Sequence, residues 1–132
     1  MSRSSFTGRA KAAFLLLGVA TVSQAATSAL LPLDAGVYVV STTTPCADAP
    51  LAGVARFDGL ALSGPHESDC TSTVLSRQAR TYRISTTCRA LGDGSAATPT
   101  SQDQTVRVES RTRFAMVDHG TETDYARCPS FK

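Results

Sequence analysis

The sequence predicts an all-β protein: a small antiparallel barrel or sandwich of about six to seven short strands, with two disulfides, behind a cleaved signal peptide. Three observations carry this. Short β-branched and aromatic runs alternate with clusters of Gly, Pro, Asp and Ser. Beyond the first 25 residues no apolar stripe recurs at the helical period. All four cysteines, Cys46, Cys70, Cys88 and Cys128, lie in that same part of the chain.

The leader comes first. Arg3, Arg9 and Lys11 form a positive segment without an acid, and Ala12–Val22 is an apolar run. Ser23-Gln24-Ala25 then places small residues where a signal peptidase reads them, so cleavage is expected before Ala26. The run is too short for the ~20 residues of a membrane-spanning helix. Residues 1–25 are thus read as a secretory signal peptide and 26–132 as a single domain with one modest core. No cysteine precedes Cys46, so nothing marks a lipid anchor after the leader.

Charge follows the leader. The whole chain has 13 basic and 11 acidic side chains and a net +2. Cleavage removes three bases, which leaves 10 against 11, or −1. Basicity therefore gives no argument for nucleic-acid binding. The sequence has no Asn, one Ile (Ile84), and far more Arg than Lys. GC-rich codon usage produces that bias and points to a bacterium.

The elements follow in order. Gly36-Val-Tyr-Val-Val-Ser41 reads as a strand. Pro45 and Pro50 bracket a loop holding Cys46. Val54–Phe57 and Leu60–Ser63 flank Asp58-Gly59, a favoured two-residue hairpin turn. A second hairpin is centred on Ala79, with Gln78-Ala79-Arg80 as its loop. In that register Ser76 faces Tyr82, Val74 faces Ile84 and Cys70 faces Cys88, all on one side of the sheet. This predicts the pairs Cys70–Cys88 and Cys46–Cys128, out of three possible connectivities. Leu91 to Gln104 is polar and rich in Gly, Ser, Thr and Pro, and is expected to lack regular structure. Thr105–Ser110 and Arg113–Val117 read as strands, followed by a turn at Asp118–Thr121 and a last strand, Thr123–Cys128.

Candidate chemistry is sparse. There is no Gly-x-Ser-x-Gly elbow, and bridged cysteines are not nucleophiles. His66 and His119 are the bases a small hydrolase would need. His66-Glu67-Ser68-Asp69 offers metal-ligand types at no recognised spacing, so neither a metal nor any other cofactor is expected. Arg83, Arg107, Arg111 and Arg113 are odd-numbered on strands whose inward positions are even, interrupted by Glu109. A row of guanidiniums on one sheet face could grip carboxylates or phosphates.

The ending Tyr125-Ala-Arg-Cys128 is similar to that of bacterial periplasmic inhibitors of c-type lysozyme, which are small, exported and β-rich. The similarity spans four residues. The Ser-Gly-x-x-Tyr motif of that family is missing, since Ser63-Gly64 is followed by Pro65-His66-Glu67; no family is assigned.

These readings imply a periplasmic or secreted, non-enzymatic module that binds another envelope or extracellular protein, such as an inhibitor or immunity-type protein. The alternatives are a small-ligand carrier with a β-barrel cavity and a small hydrolase using His66 or His119.

Overall fold

The computed structural model describes residues 28–41 and 46–129. The expected signal peptide, the expected cleavage before Ala26, and Pro45 lie outside the described residues. Among the described residues no helix is long and apolar enough to cross a membrane.

Eight antiparallel strands form one sheet: β1 (Gly36–Val40), β2 (Val54–Phe57), β3 (Leu62–Ser63), β4 (Glu67–Gln78), β5 (Thr81–Leu91), β6 (Ala96–Ser110), β7 (Arg113–Asp118) and β8 (Thr121–Arg127). Their order is β3-β2-β1-β8-β7-β6-β5-β4, and the sheet curls into a nearly closed barrel. Every strand pairs with a neighbour in antiparallel register. The only helical pieces described are two 3₁₀ turns, Cys46–Asp48 and Leu51–Gly53.

Alternation explains the core. Tyr82, Ile84, Thr86 and Cys88 point inward from β5, and Val106 and Val108 do so from β6. Of these, Tyr82, Ile84, Val106 and Val108 pack with Tyr38, Phe57, Leu62 and Phe114 into one cluster. Phe114 lies between two tyrosines: 5.2 Å and tilted against Tyr38, 4.9 Å and stacked against Tyr125. The segment Leu30–Asp34 adds Leu31 and Leu33 to the core. It runs from the Gly59 carbonyl, bound by the Leu30 N–H, to the Arg111 carbonyl, bound by the Asp34 N–H. The Tyr38 hydroxyl donates to the Asp34 carbonyl oxygen at 2.6 Å and lies 3.2 Å from that of Arg111. Burial pushes the pKa of Tyr38 up, with Arg127 opposing and Asp34 adding to the shift; burial also raises that of Tyr125.

The barrel seam lies between β3 and β4. There side-chain hydroxyls take over from a strand ladder. Ser72 Oγ accepts from the Leu62 N–H and bonds Thr86 Oγ1, while the Ser72 N–H reaches the Leu60 carbonyl. Two disulfides staple the fold. Cys70–Cys88 joins directly opposed residues of β4 and β5, and Cys46–Cys128 joins the first 3₁₀ turn to the residue after β8. Both predicted pairings are present, which fits an oxidising compartment.

Several sequence expectations are corrected. There are eight strands rather than six or seven. The β2–β3 loop runs through Ala61, because the Asp58 carboxylate binds the N–H groups of Leu60 and Ala61 and holds Leu60 out of the strand. The β4–β5 loop is two residues, Ala79-Arg80, and Ser76 faces Arg83 instead of Tyr82. The turn after β5 occupies only Gly92–Ser95, and the polar segment Ala96–Gln104 extends β6 by pairing with β5. The β7–β8 turn narrows to His119-Gly120, both at positive φ, so β8 begins at Thr121 and ends at Arg127.

Candidate functional site

The four arginines expected on one face sit around the β5–β6–β7 region. Arg83, Arg107 and Arg113 belong to three successive strands, whereas Arg111 lies in the β6–β7 turn. All four meet carboxylates: Arg83 with Asp103 at 2.8 Å, Arg107 with Glu122 at 2.7 Å and Glu109 at 3.3 Å, Arg111 with Asp34, and Arg113 with Glu109 at 3.9 Å. The hydrogen bonds that Arg111 donates to Asp34, followed by the carboxylate's charge, raise the pKa of Arg111 further. The row is thus a lattice of opposite charges rather than an open cationic stripe.

Cations without such partners lie elsewhere. Among the described residues Arg77 and Arg80 form no ion pair. Both line a pocket of about 270 Å³ beside the β4–β5 and β6–β7 turns. Its walls include Pro32, Tyr82 and Val108, and Glu109, Ser110 and the Asp34-paired Arg111 also border it. Backbone carbonyls position the guanidiniums: Arg77 Nε donates to Ala79 O at 3.0 Å and Arg80 Nη1 to Glu109 O at 3.1 Å. The Arg77 guanidinium also lies over the Tyr82 ring, 5.1 Å from its centroid.

A β-bulge puts Arg77 there. The ladder pairs Val74 with Ile84, then Ser76 with Arg83 and Arg77 with Tyr82, leaving Leu75 without an opposite number. An unbroken register would have sent Arg77 to the outer face. The signal available in the sequence was Ala79-Arg80 as an alternative two-residue loop.

The outer flank of β4 is open from Thr73 onward. Strand β3 is only two residues long, and the last backbone bond across the seam comes from Ser72. Val74 and Leu75 stand exposed here, as does Leu60 on the other side of the Leu60–Ser72 bond.

The remaining candidates hold less. His66 is exposed, and among the described residues its side chain has no hydrogen-bond partner. His119 Nδ1 lies 2.6 Å from Asp118 Oδ1, with both side chains almost fully in solvent. Glu67 lies near Cys70 and Cys88, but the two sulfurs are bonded to each other and leave no thiolate to bind a metal. A second hollow of about 390 Å³ lies against Val37, Leu51 and Val54. Arg56 is its one charged group, so no set of polar groups converges there. The barrel interior is filled by Leu31, Tyr38, Phe57, Ile84 and Phe114, each less than 2% exposed.

In comparisons with known proteins, no family model, no curated protein and no solved structure matches this chain.

Proposed function

We propose that this chain is an exported, non-enzymatic binding module of the bacterial periplasm or exterior, and that it captures another protein against the open half of β4. One observation carries the reading. Apolar side chains exposed at the seam, Leu60, Val74 and Leu75, lie on the same edge of the barrel as Arg77 and Arg80, which have no carboxylate partner among the described residues. Protein interfaces favour apolar centres flanked by arginine. The two disulfides fix the scaffold that presents this surface, and its packed interior favours a surface binder over a carrier. An inhibitor or immunity-type role follows from size and compartment.

The test is affinity capture from envelope extract and culture supernatant with the oxidised mature domain. One stoichiometric partner is expected. It should be lost with a Val74→Glu, Arg77→Ala double variant and kept with Arg83→Ala, Arg107→Ala, Arg113→Ala. The reverse pattern would move binding to the charge lattice and overturn the assignment to β4.

A further inference from the structure

The pocket beside the β4–β5 turn holds two cations that the fold anchors but does not neutralise. A guanidinium held by a carboxylate has its charge answered. Arg77 and Arg80 are held instead by the neutral carbonyls of Ala79 and Glu109. Each bond engages one nitrogen, so both Nη groups of Arg77, and Nε and Nη2 of Arg80, are free to donate. Stacking on Tyr82 further restricts Arg77. The Tyr82 hydroxyl bonds to no group among the described residues, and the ring borders the same pocket. Val108 and Pro32 add apolar wall. The arrangement therefore combines unanswered planar donors with a partly apolar wall.

We propose that this pocket takes a single carboxylate carried on a short apolar stem, such as a glutamate side chain. The planar fork of a guanidinium matches a carboxylate bidentately. Glu109 and Arg111 also border the pocket, but each is already paired, Glu109 with Arg107 and Arg113 and Arg111 with Asp34, so a ligand's charge meets Arg77 and Arg80. The source of the carboxylate rests on the protein-binding reading above: it belongs to the partner segment that lies along β4. The pocket itself stands or falls separately.

The experiment is an NMR titration of the oxidised protein, following backbone amides and arginine Nε–H groups. The probes are the α-amide of N-acetylglutamate, which keeps only the side-chain carboxylate, the uncharged α-amide of N-acetylglutamine, and inorganic phosphate. The glutamate amide should saturate shifts confined to Arg77, Arg80, Tyr82 and Val108, and the glutamine amide should leave them in place. Arg77→Gln and Arg80→Gln should each weaken binding about tenfold, the size of an accessible charge-assisted hydrogen bond. Arg89 serves as the internal control, since it too forms no ion pair among the described residues and is not part of the pocket. Equal responses to the glutamate and glutamine amides would overturn the proposal, as would equal shifts at Arg89 or tighter binding of phosphate. Saturable binding of the glutamate amide without any seam-dependent partner would keep the pocket and discard the protein-binding reading.

Discussion

Two strands of this barrel each have a half that is paired on one flank only, and the two halves are built differently. In β6 the open half is Ala96–Gln104, since pairing with β7 begins only at Thr105. It contains Pro99, an irregular stretch where the register shifts against β5, Asp103, and no side chain larger and more apolar than alanine apart from that proline. Proline and charge are the usual means by which an edge refuses another strand. In β4 the open half is Thr73–Gln78, with Val74 and Leu75 exposed and neither a proline nor an acid. Its one interruption, the bulge at Leu75, re-aims Arg77 into the neighbouring pocket. One edge carries the features that refuse contact and the other lacks them. A guarded strand edge and an unguarded one thus differ in composition before they differ in geometry.

The largest expected effect separates what staples the fold from what staples β4. On the loop-entropy model, replacing Cys46 and Cys128 by Ala should cost about 4.5 kcal/mol, against about 3 kcal/mol for Cys70 and Cys88, given separations of 82 and 18. Urea titration gives both values. Hydrogen exchange should quicken in β4 more than in open β6 only for the second pair.

The Val74–Ile84 pair sharpens the contrast inside one ladder. Ile84 is fully buried and Val74 is 37% exposed. Ile84→Ala should destabilise by about 3 kcal/mol and Val74→Ala by under about 1 kcal/mol. Equal losses would show that the open half of β4 belongs to the core.

Tyr38 lies in the closed part of the barrel, away from both edges. Tyr38→Phe should cost about 1–2 kcal/mol at neutral pH, because the Asp34 carbonyl loses its donor. Burial raises the Tyr38 pKa above its ordinary 10.0, so the folded chain holds that proton more tightly than the unfolded one. Its contribution is complete below pH 10.0 and is lost as pH rises through the folded value. Tyrosinate absorbance followed alongside circular dichroism should show the alkaline transition, reduced in the phenylalanine variant.

The smallest stability change tests the guard itself. Pro99→Val should alter stability within about 0.5 kcal/mol, as surface changes usually do. Light scattering should nevertheless report self-association, because an edge that proline protected becomes available. A strictly monomeric variant would mean that Pro99 guards nothing.

Much of this fold was legible because alternation and turn chemistry are local. The Cys70–Cys88 and Val74–Ile84 partners followed from one register, and the second disulfide followed from the first. The strand Ala96–Gln104 escaped because its residues bury little: it is a strand by pairing with β5, which no hydrophobic period records. The inward role of Leu31 and Leu33 escaped as well, since a coil segment that crosses a barrel end leaves no periodic trace. At the candidate site, arginines were picked by parity along the strands. That criterion finds outer faces, where acids from β6 and β8 were waiting for Arg107. Parity would have set Arg77 on that same outer face, but the bulge turns it to the other, and Arg80 sits in the turn, where parity says nothing.

That bulge has an arithmetic origin. A separation of 18 leaves seventeen residues between Cys70 and Cys88, and the bridge holds those two opposite each other. A two-residue turn leaves fifteen to share between two arms, and an odd number cannot be shared evenly. One residue has to be left over, and Leu75 is that residue. The direction of Arg77 is therefore governed by chain length as much as by side-chain chemistry. Loss of Gln78 alone would make the arms equal, set Arg77 opposite Thr81, and turn it to the outer face without changing any other amino acid.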